Sequence, residues 1–202
     1  MRILAFVDLH ANEMVLAELT KRAKEADLVL CAGDMSIFGM QLYDMLEAMN
    51  KWGKPVFLIH GNHEDPSLLE DVNEHYENLH FVHGIEKEFD GISVLGWGGG
   101  GFSERDPQLA AFAKKLKPKR TRILMFHGPP KGTAADYRPD WEVHVGCLTR
   151  RDVVERLEPV VAICGHIHES FGAQSMIGRT LVLNPGPLGK FISIETKEEG
   201  NK

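Results

Sequence analysis

Five short apolar runs, at residues 3–7, 28–32, 56–59, 123–126 and 160–164, constrain this chain more than any other feature. Each is built from Val, Ile, Leu, Phe, Met, Ala and Cys with no polar alternation. Strands covered on both faces read this way, because neither face needs a polar side chain. Between and beyond the runs lie segments with helical spacing of apolar residues, at 12–24, 39–52, 67–76, 107–116 and 149–157. The last opens on Thr149 as an N-cap and stops at Pro159. Alternating strands and helices predict an α/β sheet with helices on its faces. The second half is richer in strands. Glu86–Phe89 and Ile92–Trp97 flank Asp90-Gly91, a two-residue hairpin signal. Thr180–Leu183 and 191–195 are separated by turn residues. Antiparallel strands therefore join the parallel ones, in one mixed sheet or two.

No repeat, low-complexity tract or linker interrupts the chain, so a single domain over 1–202 is expected. The composition, 43% hydrophobic and 26% charged, excludes disorder and coiled coil. The net charge of −6 opposes binding along long nucleic acids, where Lys and Arg neutralise phosphates. Cys31 and Cys164 lie inside apolar runs and read as buried thiols, not as a disulfide framework. No apolar stretch reaches the length of a signal peptide or membrane span, and a cytoplasmic setting is expected.

The polar residues at the end of each run carry the chemistry. The first run leads to Asp8-Leu9-His10, the second to Gly33-Asp34, and the third to His60-Gly61-Asn62-His63-Glu64. The fourth ends at His127-Gly128-Pro129-Pro130 and the fifth at Gly165-His166-Ile167-His168. In an open α/β sheet, ligands bind outside the carboxyl ends of the strands. Parallel strands would gather these endings at one rim. Imidazoles, carboxylates and one amide oxygen suit manganese, iron, nickel or zinc better than magnesium or calcium. The absence of cysteine from the set argues against a structural zinc site. Without His63 there are seven candidate ligands, more than one ion can use. Two ions about 3.5–4 Å apart form the clamp used for displacement at phosphorus. The i, i+2 spacing of Asp8 and His10, and of His166 and His168, predicts that each pair shares one face of an extended segment.

In their order and spacing these blocks resemble those of the calcineurin-like metallophosphoesterase superfamily. The His127-Gly-Pro-Pro block, Cys147 and Gly165-His-Ile-His-Glu-Ser are similar to a narrower branch of small phosphoesterases related to cyclic-nucleotide phosphodiesterases. The resemblance implies a four-layer α-β-β-α sandwich with two mixed β-sheets. It implies two divalent ions, manganese foremost, one held by Asp8, His10 and His168 and the other by Asn62, His127 and His166, with Asp34 bridging. It also implies that a hydroxide between the ions attacks a small phosphoester, a diester ahead of a monoester, with a nucleotide among the candidates. His63 would stabilise the transition state or protonate the leaving oxygen. Two departures stand out. Ala11 occupies a position where the family commonly has Gly, so its turn must avoid positive φ or tolerate strain. Met35-Ser36-Ile37 comes after Asp34 where an acid or Arg is frequent, which bears on the substrate.

Other signals read as structural. Asn62 alone would pass for a turn residue, and His60 for a residue behind the site. His75, His80, His83 and His144 match no motif. The glycines at 96–101 imitate a dinucleotide fingerprint but open no helix, so the 98–101 stretch is expected to be a flexible loop at the rim. Tyr137 and Trp141 are expected to pack the long 128–148 connection onto the body rather than stack on a base. The basic run at 117–122 is expected to be solvated surface. Two other functions compete with the hydrolase: a catalytically silent interaction scaffold, disfavoured because every ligand is present, and a nuclease, disfavoured by net charge.

Overall fold

The structure is a computed structural model that describes residues 1–119 and 121–195. Its elements are β1 (Arg2–Phe6), α1 (Glu13–Ala23), β2 (Leu28–Cys31), α2 (Leu42–Asn50), β3 (Val56–Leu58), α3 (Val72–His75), β4 (Leu79–Phe81), β5 (Glu86–Phe89) and β6 (Ile92–Trp97). Next come α4 (Pro107–Ala113), β7 (Arg122–Phe126), β8 (Tyr137–Arg138), β9 (Val143–His144), α5 (Leu148–Leu157), β10 (Val161–Ile163), β11 (Gln174–Ile177), β12 (Thr180–Leu183) and β13 (Lys190–Ser193). The five apolar runs are all strands, and they divide between two sheets. One has the order β13-β1-β2-β3-β4, the other β11-β12-β10-β7-β6-β5. In each sheet the central strands are parallel, and antiparallel strands join at an edge: β13 beside β1, β5 beside β6, and β11 beside β12.

Side-chain alternation along these wholly apolar strands separates the layers. In β1, Ile3 and Ala5 face the other sheet with Val7 beyond them, while Leu4 and Phe6 face helices. Leu28 and Leu30 in β2 point inward; Val29 and Cys31 point outward. In β7, Ile123 and Met125 meet the first sheet, and Leu124 and Phe126 pack on the opposite face with Leu109 of α4 and Val153 of α5. Three apolar layers result: helices on sheet, sheet on sheet, and sheet on helices. The chain is a four-layer α-β-β-α sandwich with two mixed sheets, as its resemblance implied.

Four local expectations are corrected. Residues 67–76 are not one helix but a 3-10 turn, Pro66–Leu69, followed by the single turn of α3. Asp65 caps the first turn through the Ser67 N–H, and the Asp71 carbonyl starts the second by accepting from Glu74 and His75. Residues 39–41 precede α2 as a tight turn with positive φ at Phe38, Gly39 and Gln41, which turns Phe38 outward at 74% exposure. Thr149 does not cap α5; the helix begins at Leu148, and the Thr149 hydroxyl accepts the Asp106 N–H instead. The basic run is not all solvated. Arg122 is buried, its Nε donating to Glu86 and an Nη to the Lys117 carbonyl; Arg120 of that run lies outside the described residues.

The 128–148 connection is organised by buried Asp136. Its carboxylate accepts the N–H groups of Gly132, Thr133 and Gly146 and faces His144 Nδ1 at 2.8 Å. Tyr137 packs on His144, and Trp141 lies beneath the Arg138 guanidinium.

Candidate metal centre

The carboxyl ends of β1, β2, β3, β7 and β10 do converge, but not through extended backbone. Asp8, His10, Ala11, Asp34 and His166 all have positive φ, half of the ten such non-glycine residues among the described ones. Left-handed kinks therefore, not strand alternation, bring Asp8 to His10 and His166 to His168. Backbone strain of this kind gathers at functional sites. Ala11, at φ 51°, tolerates the strain that a Gly would avoid. A left-handed Ala costs about 1–2 kcal/mol, and Gly gives back about 0.4–1 through its freer unfolded chain. Ala11→Gly is thus expected to leave stability unchanged or raise it by about 1 kcal/mol, read from the denaturant midpoint.

Asp34 is the hub. Its Oδ2 lies 3.3 Å from His127 Nε2, 3.8 Å from His10 Nε2 and 4.0 Å from His63 Nε2. Its Oδ1 accepts the His63 N–H at 2.9 Å. Donor atoms within 4.8 Å of one another form three overlapping sets: Asp8, His10 and His168; His10, Asp34 and His63; and Asp34, His127 and His166. Asn62 joins the last through Oδ1, 2.9 Å from His127 Nε2. All eight predicted residues thus meet in one place. Gly61 makes the approach possible, since a Cβ there would stand 1.9 Å from Asp34 Oδ1.

The imidazoles are not held alike. His127 Nδ1 donates to the Ala32 carbonyl at 3.0 Å, and His10 Nδ1 to the Ser36 carbonyl at 3.3 Å. A neutral ring that gives its Nδ1 proton to a carbonyl offers Nε2 inward, the arrangement that orients metal-binding histidines. His10 Nε2 faces His168 Nε2 at 3.2 Å, two nitrogens that a cation between them would satisfy. His166 Nε2 is buried with no hydrogen-bond partner among the described residues. His63 is held the opposite way: its Nδ1 accepts the Phe38 N–H at 3.3 Å, which leaves the proton on Nε2, facing the site. The donor set therefore fits divalent cations, and His63 stands apart from it.

Burial raises Asp8 to about 7, with the charge of Asp34 adding and that of His127 opposing. Burial alone would raise Asp34 too, but the hydrogen bond and charge of His127 outweigh it and hold the carboxyl near 2. Burial disfavours the charged form of His127, yet Asp34 and Asp8 prevail and its pKa is raised. Burial, aided by the nearby His127 charge, pushes His166 down to about 4. In metal-free protein near neutrality, Asp34 and His166 are thus already in their ligating forms. Asp8 must lose a proton to bind metal, and Asp34 and Asp8 hold His127 towards its charged form, so affinity falls as pH drops below 7. Calorimetric titration of metal-free protein with Mn²⁺ is expected to show affinity falling about tenfold per bound proton per pH unit between pH 7 and 6, with proton release.

Sequence reasoning gave Glu64 no role. Its buried carboxylate accepts the N–H groups of Asp34, Ser36 and Gly61 at 2.8–2.9 Å and the Ser36 hydroxyl at 2.7 Å, pinning two site loops together. Asn184 does the same for the His166–His168 loop through Ile167 and Ser170. Three phenylalanines were also missed. Phe38 stacks on His63 at 4.1 Å, Phe171 on His168 at 5.0 Å, and Phe102 lies 5.0 Å from His166. Trp141, expected merely to pack its loop, lies 6.4 Å from Phe102. Gly98 and Gly99 pack on His60, and Gly100 packs on Arg150.

The calcineurin-like phosphoesterase family profile matches residues 1–170. The chain belongs to the calcineurin-like phosphoesterase family. It is 27% identical over 199 residues to a UPF0046 protein of Caenorhabditis elegans, covering 86% of this chain and 67% of that one. It is 26% identical to human metallophosphoesterase domain-containing protein 1, covering 74% of this chain and 56% of that protein. The chain thus spans between half and about two thirds of these curated relatives. Its fold superposes on that of a dimetal phosphatase from Danio rerio with a TM-score of 0.60 at 13% identity, covering 91% and 86% of the two chains. Membership in the calcineurin-like phosphoesterases makes this a phosphoesterase with a metal site, and among the described residues no helix is long and apolar enough to cross a membrane.

Proposed function

We propose that this calcineurin-like phosphoesterase hydrolyses a small phosphodiester using two divalent cations, manganese first among them. The carrying observation is the opposed anchoring of the rings: His10 and His127 give Nδ1 to backbone carbonyls and turn Nε2 towards Asp34, where a neutral ring would offer it to a cation, whereas His63 accepts at Nδ1 and aims its Nε2 proton there. When bound, the ions neutralise phosphoryl charge and lower the pKa of a water to about 7. Asp34 would be shared between two ligand triads, Asp8, His10 and His168 on one side and Asn62, His127 and His166 on the other. His63 would donate its Nε2 proton to the leaving oxygen as the P–O bond breaks. The Phe38 ring and N–H keep that proton aimed.

The aromatic rim supports a diester ahead of a monoester. Phe38, Phe102 and Phe171 give apolar surface to two ester substituents, and a nucleotide base is one chemistry that stacks there. A monoester has one ester substituent and would use less of such walls. Cys31, Cys147 and Cys164 are free and buried, in keeping with a reducing, cytoplasmic setting. The test is turnover of bis-p-nitrophenyl phosphate against p-nitrophenyl phosphate with Mn²⁺ or Ni²⁺. A diester advantage of at least roughly tenfold in kcat/KM is expected, abolished by chelation and restored by Mn²⁺. Metal-loaded protein that turns over neither ester contradicts the reading.

A further inference from the structure

We propose that the cavity between the 98–101 loop and the start of α5 is a second anion site, distinct from the metal centre, for a phosphate-like oxyanion. Its floor is Arg150, only 2% exposed. The guanidinium lies between two glycine backbones: a Cβ on Gly100 would stand 2.7 Å from one of its Nη atoms, and a Cβ on Gly128 3.1 Å from the other. Among the described residues the Gly99 carbonyl, at 3.2 Å, is the one acceptor it reaches, Nε has no partner, and no carboxylate pairs with it. A buried guanidinium without a counter-charge is costly to keep and is restored by an anion.

The cavity itself is lined by Gly100, Ser103, Arg105, Asp106, Gln108 and Arg150, with Pro107 beside them. Asp106 does not neutralise the guanidinium. Its carboxylate is occupied by Trp97 Nε1 and by the Leu109 N–H, each at 2.9 Å. Exposed Ser103, Arg105 and Gln108 add donors at the mouth. A planar fork below and a second guanidinium above, against the single carboxylate of Asp106 in the lining, suit bidentate binding of a tetrahedral oxyanion. The same loop carries Phe102 to His166, so an occupant here would stiffen the rim of the metal centre. The oxyanion could come from free phosphate or from a second phosphate on the substrate. Anion binding does not depend on the hydrolase reading.

The test titrates inorganic phosphate into the full-length, zinc-loaded, 15N-labelled protein. The amides of Gly99, Gly100 and Ser103 are expected to shift saturably, independently of the Asn62 and His168 amides that report phosphate at the metals. Arg150→Met is expected to abolish those shifts. Arg105→Ala, at an exposed position that does not threaten folding, is expected to weaken them about tenfold. A second arm compares kcat/KM for p-nitrophenyl nucleoside 5′-phosphates with and without a 3′-phosphate. An advantage for the 3′-phosphorylated ester that Arg105→Ala removes identifies the substrate as the source; shifts without such an advantage identify free phosphate. Absence of shifts in residues 99–103, or shifts that survive in Arg105→Ala at unchanged affinity, overturns the proposal.

Discussion

Asp34→Ala is expected to lower diester turnover by roughly a thousandfold or more, equivalent to at least about 4 kcal/mol of transition-state stabilisation. It should also cut bound metal from two ions per chain to one or none. The reason is the position of Oδ2, within 4.0 Å of the Nε2 atoms of His10, His63 and His127. Among the described residues no other carboxylate joins two of the ligand sets: Asp8 belongs only to the set with His10 and His168. Asp34→Asn keeps an acceptor for the His63 N–H but removes the charge, so it should fold as the parent does and still lose metal. Elemental analysis alongside the assay checks both variants. Full metal content and normal turnover in Asp34→Ala would show that the carboxylate is not shared.

His63→Asn should separate chemistry from metal binding. A positioned proton donor contributes about 10²–10⁴ in rate, so kcat is expected to fall by that factor while both ions stay bound. KM should change far less, since the ring would act on the leaving oxygen and not on the ground state. The orientation of the ring makes this more than a choice between two histidine roles. With Nδ1 accepting the Phe38 N–H, Nε2 carries the proton and has no lone pair to offer a cation. If His63→Asn lost an equivalent of metal, that reasoning would fail and His63 would belong with the ligands. Activity of the variant with esters of a better leaving group, which needs less protonation, should recover in part.

The five apolar runs became strands within a residue or two of their expected limits, because continuous burial on both faces leaves no other reading for so short a segment. Their polar endings were legible for the same reason: Asp8, Asp34, Asn62, His127 and His166 come one to four residues after strands that end at the rim. The assignment of runs to two sheets was not legible, since residues 28–32 and 160–164 are equally apolar and partner choice depends on long-range pairing. Nor was the backbone at Asp8, His10 and His166, where i, i+2 spacing suggested extension and the chain turns left-handed. Tertiary contacts override local preference at such sites. The contacts that distinguish His63 from His127 run to backbone groups of Phe38 and Ala32, which any sequence would supply. Glu64 was in view as the fourth residue of its block, yet its function lies in the N–H groups of a loop some thirty residues away.

A crystal of the protein grown or soaked with Mn²⁺, measured at a wavelength where manganese scatters anomalously, tests the central claim most directly. Two peaks roughly 3.5–4 Å apart are expected, one on each side of Asp34, with Asp8, His10 and His168 around the first and Asn62, His127 and His166 around the second. His63 should contact neither. One peak, or ions bound away from Asp34, would contradict the account.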